Sequence, residues 1–509
     1  MVGSPMIECA GRARTQELAK RRAGLLAAAL TEAGVGNGER VAILLRNDIE
    51  FLEISLAVAA CGANPVPINT RWQVPEIEHV LRDSGIRAVL THTEFVDRVE
   101  EAVRRAGIAA LIVEVAMPSE LLDEARLPQS LAEPTGRHLL LEEWLAVQRD
   151  PLGHRDGAVA DSMGLIYTSG TTGRPKGVLR ERMTAEQLLS IAGATAQRMG
   201  LTPDARILVA GPLYHTSPNA VAVLALRMGA EITIMPRWDA ERFLELVQRQ
   251  RITQAKVVPT MLSRLLSLPA EVRERYDVSS LTHLIHSAAP CPPAIKRAAI
   301  AWFGSALTEF YGCSEAGSIT WISAMEWSTH PGSVGRGADG SAAVVASADG
   351  IILPAGTIGT VFVRGADYWP RFTYLNETEK PSPIPGFITV GDTGYLDADG
   401  YLYLTGRCGE IIIAGGVNIY PAEIEAAIGA LDEVEDVAVF GIPHSGDLGE
   451  AVAAHIVLRP GAELSAATIR ARLGSLIADY KIPREIRLVD ELPRDDSGKV
   501  YKRQLRDLY

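Results

Sequence analysis

The chain has 509 residues, of which 47% are hydrophobic and 22% charged, with a net charge of −12. That length is too great for one hydrophobic core, so two or more domains are expected. The acidic balance, without a concentrated Lys/Arg field, excludes a nucleic-acid surface. Five scattered cysteines (Cys9, Cys61, Cys291, Cys313 and Cys408) make no Cys-x-x-Cys pair and fit a reducing cytoplasm rather than a disulfide framework. The start lacks the apolar run of a signal peptide, and the apolar stretch Leu52 to Ile68 carries Glu53 and is too short for a membrane span. A cytoplasmic protein is the expectation.

Short apolar runs then alternate with amphipathic segments. RVAILL (Arg40 to Leu45) reads as a buried strand, IEFLEISLAVAACGA as a helix, NPVPIN as a strand and EIEHVLRDSG as a helix. AVLTH, ILVAGP, EITIMP, AKVVPT and THLIHSAA repeat the strand pattern with helix-length spacers. This alternation predicts parallel α/β sheets. The segment 116–150 reads as loop-rich. After about Gly340 the runs AAVVAS, GTVFVRG and GYLYLTG become short and Gly-bounded, which predicts a small antiparallel β subdomain. A tail of about a hundred residues carries its own core pattern: EIIIA, a helix in PAEIEAAIGAL, strands VEDVAVFGI and AVAAHIVL, and a helix near 467–477. The expected organisation is a large N-terminal α/β domain with a β-rich subdomain (1–406), a hinge (407–410) and a small mobile α+β lid (411–509).

YTSGTTGRPKG, Tyr167 to Gly177, follows the strand-like MGLIY. Glycines expose backbone N–H groups, and hydroxyls with one lysine complete a concave phosphate-binding surface. Ser169, Thr171 and Thr172 supply hydroxyls, Gly170 and Gly173 open backbone, and Lys176 charge. The Walker spacing is absent. The loop is read as leaving a sheet edge, where ligands bind in open α/β folds. GRGADG (Gly335 to Gly340) matches a dinucleotide pattern but neither follows a clear strand nor opens a helix, so that reading fails.

The eleven-residue block resembles the phosphate-loop signature of the adenylate-forming superfamily: acyl- and aryl-CoA ligases, peptide-synthetase adenylation domains and luciferases. Further motifs follow in the family's order. The resemblance implies nucleotide contacts from Thr168 to Gly173, with Lys176 as a catalytic cation. In GPLYHTSPN (Gly211 to Asn219) it gives His215 the place of the aromatic gate beside the carboxylate, bordered by Tyr214, Ser217 and Asn219 in the acid pocket. SAAPC implies adenine contacts from Ser287, Ala288, Ala289 and Pro290. TEFYGCSEAG implies an aromatic face from Tyr311, further contacts from Gly312 and Ser314, and a catalytic, magnesium-binding Glu315. Mg²⁺ needs only one or two carboxylates when phosphates and water complete its octahedron. Glu309 stands where an adenine-contacting Asn is common and receives no role. VGDTGYLDADGYLYLTGR implies a ribose-binding Asp392 closed off by Arg407. LPRDDSGKVYKRQL implies Lys499 as the catalytic lysine on a mobile loop; Lys502 is set aside because the family's lysine follows SG or TG.

An amino-acid substrate is disfavoured, because Thr216 stands where an Asp would pair the α-ammonium and an unpaired buried charge is costly. Ala289, Cys313, Ala316 and Gly317 are small and leave room, which predicts a bulky hydrophobic carboxylic acid. GGVNIYPAEIE resembles the element that forms the pantetheine tunnel, with Gly415 and Gly416 passing the thiol arm of CoA. ATP, Mg²⁺ and CoA are the implied cofactors and co-substrates, and the implied activity is an AMP-forming acid–CoA ligase. Left open are a carrier-protein thiol as acceptor, a homodimer, a degenerate nucleotide- or acyl-binding protein, and a variant running mainly the thioester-forming half-reaction. The last follows from Gly409, which stands at the hinge where Asp or Lys is usual and shifts the balance between poses.

Overall fold

The computed structural model describes residues 4–152, 164–169, 175–376, 382–414, 417–444, 450–474, 476–477, 479–495 and 498–509. The chain divides into two compact units. One comprises 1–257, 268–285 and 368–380, and the other 258–267, 286–367 and 381–509. The tail, 411–509, falls in the second of these units.

The first unit bears out the α/β reading. A parallel sheet runs in the order Asn64–Pro67, Arg40–Leu44, Ala88–His92, Leu111–Val115 and Leu139–Leu140. Its central strands are buried on both faces, as their continuous apolar runs require. Asp48 caps the helix Ile49–Ala60 by accepting the Ile49 N–H. The helix Val74–Ser84 starts with a capping box between Gln73 and Glu76 and ends at Gly85 in the left-handed region. Ile77, Val80, Leu81, Val99 and Ala102 pack with Ala42, Leu44 and Val89 in one core. A second set of strands places Arg206–Val209 between Gln254–Val257 and Glu231–Ile234, all parallel. Met6–Cys9 is parallel to Glu231–Ile234 and antiparallel to Arg12–Thr15.

One expectation is corrected and another refined here. Residues 116–150 are not merely loop, since helices Ser119–Ala125 and Leu141–Val147 form there on buried leucines 121, 122, 141 and 145. MGLIY does lead into a strand, Ile166–Ser169, but its partner Pro175–Arg180 runs antiparallel, with Phe372–Tyr374 beyond it. The phosphate-type loop therefore joins two antiparallel strands, the first of them at the edge of this small sheet.

In the second unit Leu307–Cys313 pairs antiparallel with Gly317–Ser323, which pairs with Arg336–Gly337. GRGADG thus carries a short strand and opens no helix. The predicted antiparallel subdomain is a sheet of Ala342–Ala346, Gly359–Arg364, Asp392–Leu396 and Leu402–Arg407. Toward the end of the chain, Val434–Pro443 pairs with Glu450–Leu458 and Glu485–Leu488 lies parallel to the latter. The helices Pro421–Gly429 and Ala466–Leu473 pack there. The buried residues of both tail clusters come only from position 412 onward. Among the described residues no helix is long and apolar enough to cross a membrane.

Candidate functional site

In the first unit, Lys176 lies one strand residue into Pro175–Arg180, its backbone opposite Thr168 and its ammonium 5.5 Å from the centroid of the Tyr374 ring. Tyr167 donates to Asp83 at 2.6 Å, and Asn376 donates to the same carboxylate at 2.9 Å, so the hairpin is held to the helix Val74–Ser84. Burial pushes the Tyr167 phenol up, and Asp83 adds to it. Gly170, Thr171, Thr172 and Gly173 lie outside the described residues, and Thr168 and Ser169 are described only as strand backbone.

The segment Gly211–His215 connects the strand Arg206–Val209 to the helix Thr216–Met228, with His215 as its extended N-cap. The Tyr214 and His215 rings lie 4.6 Å apart. One buried side chain from far upstream fixes this turn: Asn47 donates to the carbonyls of Gly211 and Met235, each at 3.0 Å, and accepts the Leu213 N–H at 2.7 Å. Asn219 donates to the Leu213 carbonyl at 3.1 Å and to the Ser55 hydroxyl at 3.4 Å, so its amide braces the helix start. Ser217 is half-buried in the first helical turn. Asn47 was not legible as a site residue, because nothing in RNDIE announces a partner 166 positions away.

In the second unit the nucleotide-type residues converge. Tyr311 donates to one Asp392 oxygen at 2.6 Å, and Arg407 donates to the other at 2.9 Å. Asp392 and Arg407 face each other across antiparallel strands. Burial, reinforced by Asp392, holds the Tyr311 phenol well above its ordinary range. Burial pushes the Cys313 thiol up as well, with Glu315 adding to it. A Cβ on Gly312 would lie 2.2 Å from the Gly317 carbonyl oxygen, so only glycine lets the two strands close at this bulge. Glu315 is buried beside Ser314. Ala316 is buried in the cluster that holds Ile319, Val345, Val361, Val363 and Leu402, against which Tyr311 and Cys313 also pack. Cys313 and Gly317 remain half-buried.

Ser287 is buried, whereas Ala288 and Pro290 are exposed and Ala289 is intermediate. Ala288 holds φ +79°, a left-handed conformation costly for a residue with a side chain, so the loop is held in place by its surroundings. Near it lies an unpredicted buried group. Glu309 pairs with Lys296 in a short contact, and the fully buried His286 ring lies 3.8 Å from Glu309. Burial drives His286 well below its ordinary pKa, helped by Lys296. The role left blank for Glu309 is thus an internal ion pair.

Lys499 sits on a tight hairpin. Its N–H donates to the Asp495 carboxylate at 2.9 Å and its carbonyl accepts the Asp495 N–H at 2.9 Å. Gly498 has φ +83°, and a Cβ there would lie 2.8 Å from the Thr260 hydroxyl. The Lys499 ammonium is lowered by burial and then by Arg407, and raised by Glu410, Asp495 and Asp392. Arg407, Glu410, Asp495 and Asp392 therefore lie within electrostatic reach of it. Gly409 is an exposed turn residue with nothing within 4 Å of a Cβ built on it. Gly415 and Gly416 lie outside the described residues. Among the described residues no cluster of three His, Cys, Asp or Glu side chains forms a metal cage, and a single carboxylate completed by phosphate and water is the arrangement Glu315 fits.

The sequence profile of the AMP-binding enzyme family matches residues 5–370, and that of the AMP-binding enzyme C-terminal domain matches 423–499. The long-chain-fatty-acid–CoA ligase of Mycobacterium tuberculosis is 31% identical over 489 residues, covering 94% of this chain and 90% of the relative. The fatty acid–[acyl-carrier-protein] ligase of Streptomyces coeruleorubidus is 30% identical, covering 99% of this chain and 93% of the relative. The ATP-bound crystal structure of MatB from Rhodopseudomonas palustris superposes with a TM-score of 0.82 at 29% identity, covering 99% of this chain and 96% of that one. The chain belongs to the AMP-binding enzyme family, within the adenylate-forming superfamily. It is an ATP-dependent, AMP-forming ligase of the acyl- and aryl-CoA ligase group, working through an acyl-adenylate.

Proposed function

We propose that this ligase activates a bulky hydrophobic carboxylic acid and passes the acyl group to the thiol of CoA. The carboxylate oxygen attacks the α-phosphorus of ATP, pyrophosphate leaves, and an acyl-adenylate forms. The thiolate then attacks the acyl carbonyl and AMP leaves. The observation that supports the reading is Asp392 held by Tyr311 and Arg407, with Lys499 within electrostatic reach of Asp392 and Arg407. A lysine held beside a diol-binding carboxylate is positioned for a nucleotide's α-phosphate, where charge accumulates in the first step.

In this reading Asp392 accepts the ribose hydroxyls, Arg407 orients Asp392, and Tyr311 with Ser287 to Pro290 brackets the adenine. Thr168 to Gly173 and Lys176 cradle the phosphates. Gly312 and Ser314 support the nucleotide side. Glu315 holds Mg²⁺, which when bound neutralises phosphate charge. Tyr214, His215, Ser217, Asn219, Ala289, Cys313 and Gly317 border the acid, and Gly415 and Gly416 admit the pantetheine arm. Residues 411–509 act as the lid turning about 407–410, a division supported by tail cores built only from residues beyond 411. All five cysteines are free thiols, in keeping with a reducing cytoplasm.

The hydrophobic acid is supported by Thr216 at the position of an ammonium-pairing acid and by the long-chain substrate named for the mycobacterial relative. The Streptomyces relative favours a second reading of the acceptor, a carrier-protein thiol. The test is a carboxylic-acid library with ATP and either CoA or phosphopantetheinylated carrier protein, read by mass spectrometry, beside ATP–pyrophosphate exchange. Thioesters of CoA are expected. Acylated carrier protein alone would move the acceptor, transfer from supplied adenylates without exchange would leave the half-enzyme, and no product with any acid would defeat the reading.

A further inference from the structure

Lys502, passed over in the sequence in favour of Lys499, opens the terminal helix Lys502–Arg506. Its side chain is only 14% exposed, and its ammonium lies 2.8 Å from Glu425 and 3.3 Å from Glu410. Burial acts to lower its pKa, but Glu425 and then Glu410 outweigh that and raise it. Glu425 is itself tied down, because the same oxygen accepts the Val439 N–H at 2.8 Å. Glu410 follows directly on Gly409, the expected pivot.

The other leg of the Lys499 hairpin is anchored symmetrically. Arg494 binds Asp436 with two bonds of 2.9 and 2.6 Å and donates to the Gly498 carbonyl. The Tyr501 N–H donates to the Pro493 carbonyl at 2.8 Å, and Arg494 and Val500 form an antiparallel bridge. The hairpin is thus clamped at both ends by ion pairs, one to a strand of the tail and one to the residue at the hinge exit.

We propose that Lys502 is a positioning residue for Lys499, joining the hinge exit at Glu410 to the lysine-bearing hairpin so that the two turn as one rigid piece. The inference rests on the reading of Lys499 as the adenylating lysine. A free Lys499 hairpin would sample many orientations, and misplacement by about 1 Å costs on the order of 100-fold in rate. Removing the ammonium also leaves two partly buried carboxylates facing one another.

The test uses the full-length enzyme with dodecanoate and ATP for exchange, and dodecanoyl-adenylate with CoA for thioester formation. Lys502→Met is expected to lower the kcat of exchange about 10- to 100-fold with little change in the KM for ATP. Thioester formation from the adenylate should stay within about twofold, since Lys499 is asked to act only in the first step. Lys502→Arg should restore most of the loss, and in a Lys499→Ala background Lys502→Met should add nothing. Hydrogen exchange of 492–505 gives a readout independent of turnover and should rise in Lys502→Met. Glu410→Gln, which keeps Lys502 and its bond to Glu425, covers a Lys502→Met chain that fails to fold and should show the same pattern more weakly. Equal loss in both half-reactions, or unchanged hydrogen exchange in the hairpin, overturns the proposal. Absence of exchange in the wild type with faster hydrogen exchange in the variants would instead count against the functional reading alone.

Discussion

In the proposed reading, Lys499 concentrates the chemistry in one ammonium. Burial lowers its pKa first and Arg407 adds to that, against three carboxylates, Glu410, Asp495 and Asp392. Lys499→Ala is expected to cut ATP–pyrophosphate exchange by about 100- to 1,000-fold, the usual loss for one preorganised donor at a developing charge. Thioester formation from a supplied adenylate should change much less, and the two assays side by side check this. The pairing of Asp392 with Arg407 was legible because both sit in one short motif whose spacing is local. Asn47, Lys296 and Arg494 were not. Their value lies in partners 164, 13 and 58 positions away, and no local pattern distinguishes them from ordinary polar residues. Glu309 shows the same limit in reverse: its motif position was plain, yet its role depends on a lysine in another element.

At the level of elements, the strands and helices with clean periodicity came through, while hairpin pairing did not. MGLIY announced a strand but could not announce an antiparallel partner, since the sign of a pairing depends on where the chain goes next. Two glycines make contrasting cases. Gly312→Ala places a methyl against the Gly317 carbonyl, so the hairpin must open; a loss of about 1–3 kcal/mol in stability is expected by urea unfolding, with exchange falling alongside. Gly409→Ala meets nothing, and the conformation does not demand glycine. Stability should rise by about 0.4–1 kcal/mol through a less flexible unfolded chain. A Gly409→Ala chain that loses stability would mean the pivot is strained in solution.

For the whole molecule, charge is spent on an ion-pair ladder in the first unit. Arg12 engages Asp48 and Glu50, Arg14 engages Glu50 and Glu53, and Arg22 engages Glu53 and Glu142. Beside it His92 accepts the Arg46 N–H at 3.3 Å and lies 3.9 Å from Asp48. Burial lowers His92 to about 3, with Arg46 and Arg12 acting the same way against Glu50. For Glu50, burial acts upward but Arg14, Asp48 and Arg12 prevail and lower it to about 2. Both folded values lie below the unfolded ones, so the unfolded chain binds more protons as pH falls and stability is lost on the acid side. The His92 contribution is complete above about pH 6.5 and declines toward pH 3, amounting to about 2 kcal/mol lost by pH 5. Glu50 adds to the loss below about pH 4.5. Thermal melts from pH 7.5 to 5 should show this decline, and His92→Gln should flatten it. A melting temperature independent of pH over that range would contradict the burial of a neutral imidazole.

The strand Met6–Cys9 lies beside Glu231–Ile234, its parallel neighbour more than two hundred residues later. On a ribosome the opening strand must therefore wait on the order of tens of seconds before its template exists. Until then its backbone donors and acceptors stay unmatched except through the short turn back to Arg12–Thr15. Met6–Cys9 thus gains its parallel partner only after most of the first unit has been made.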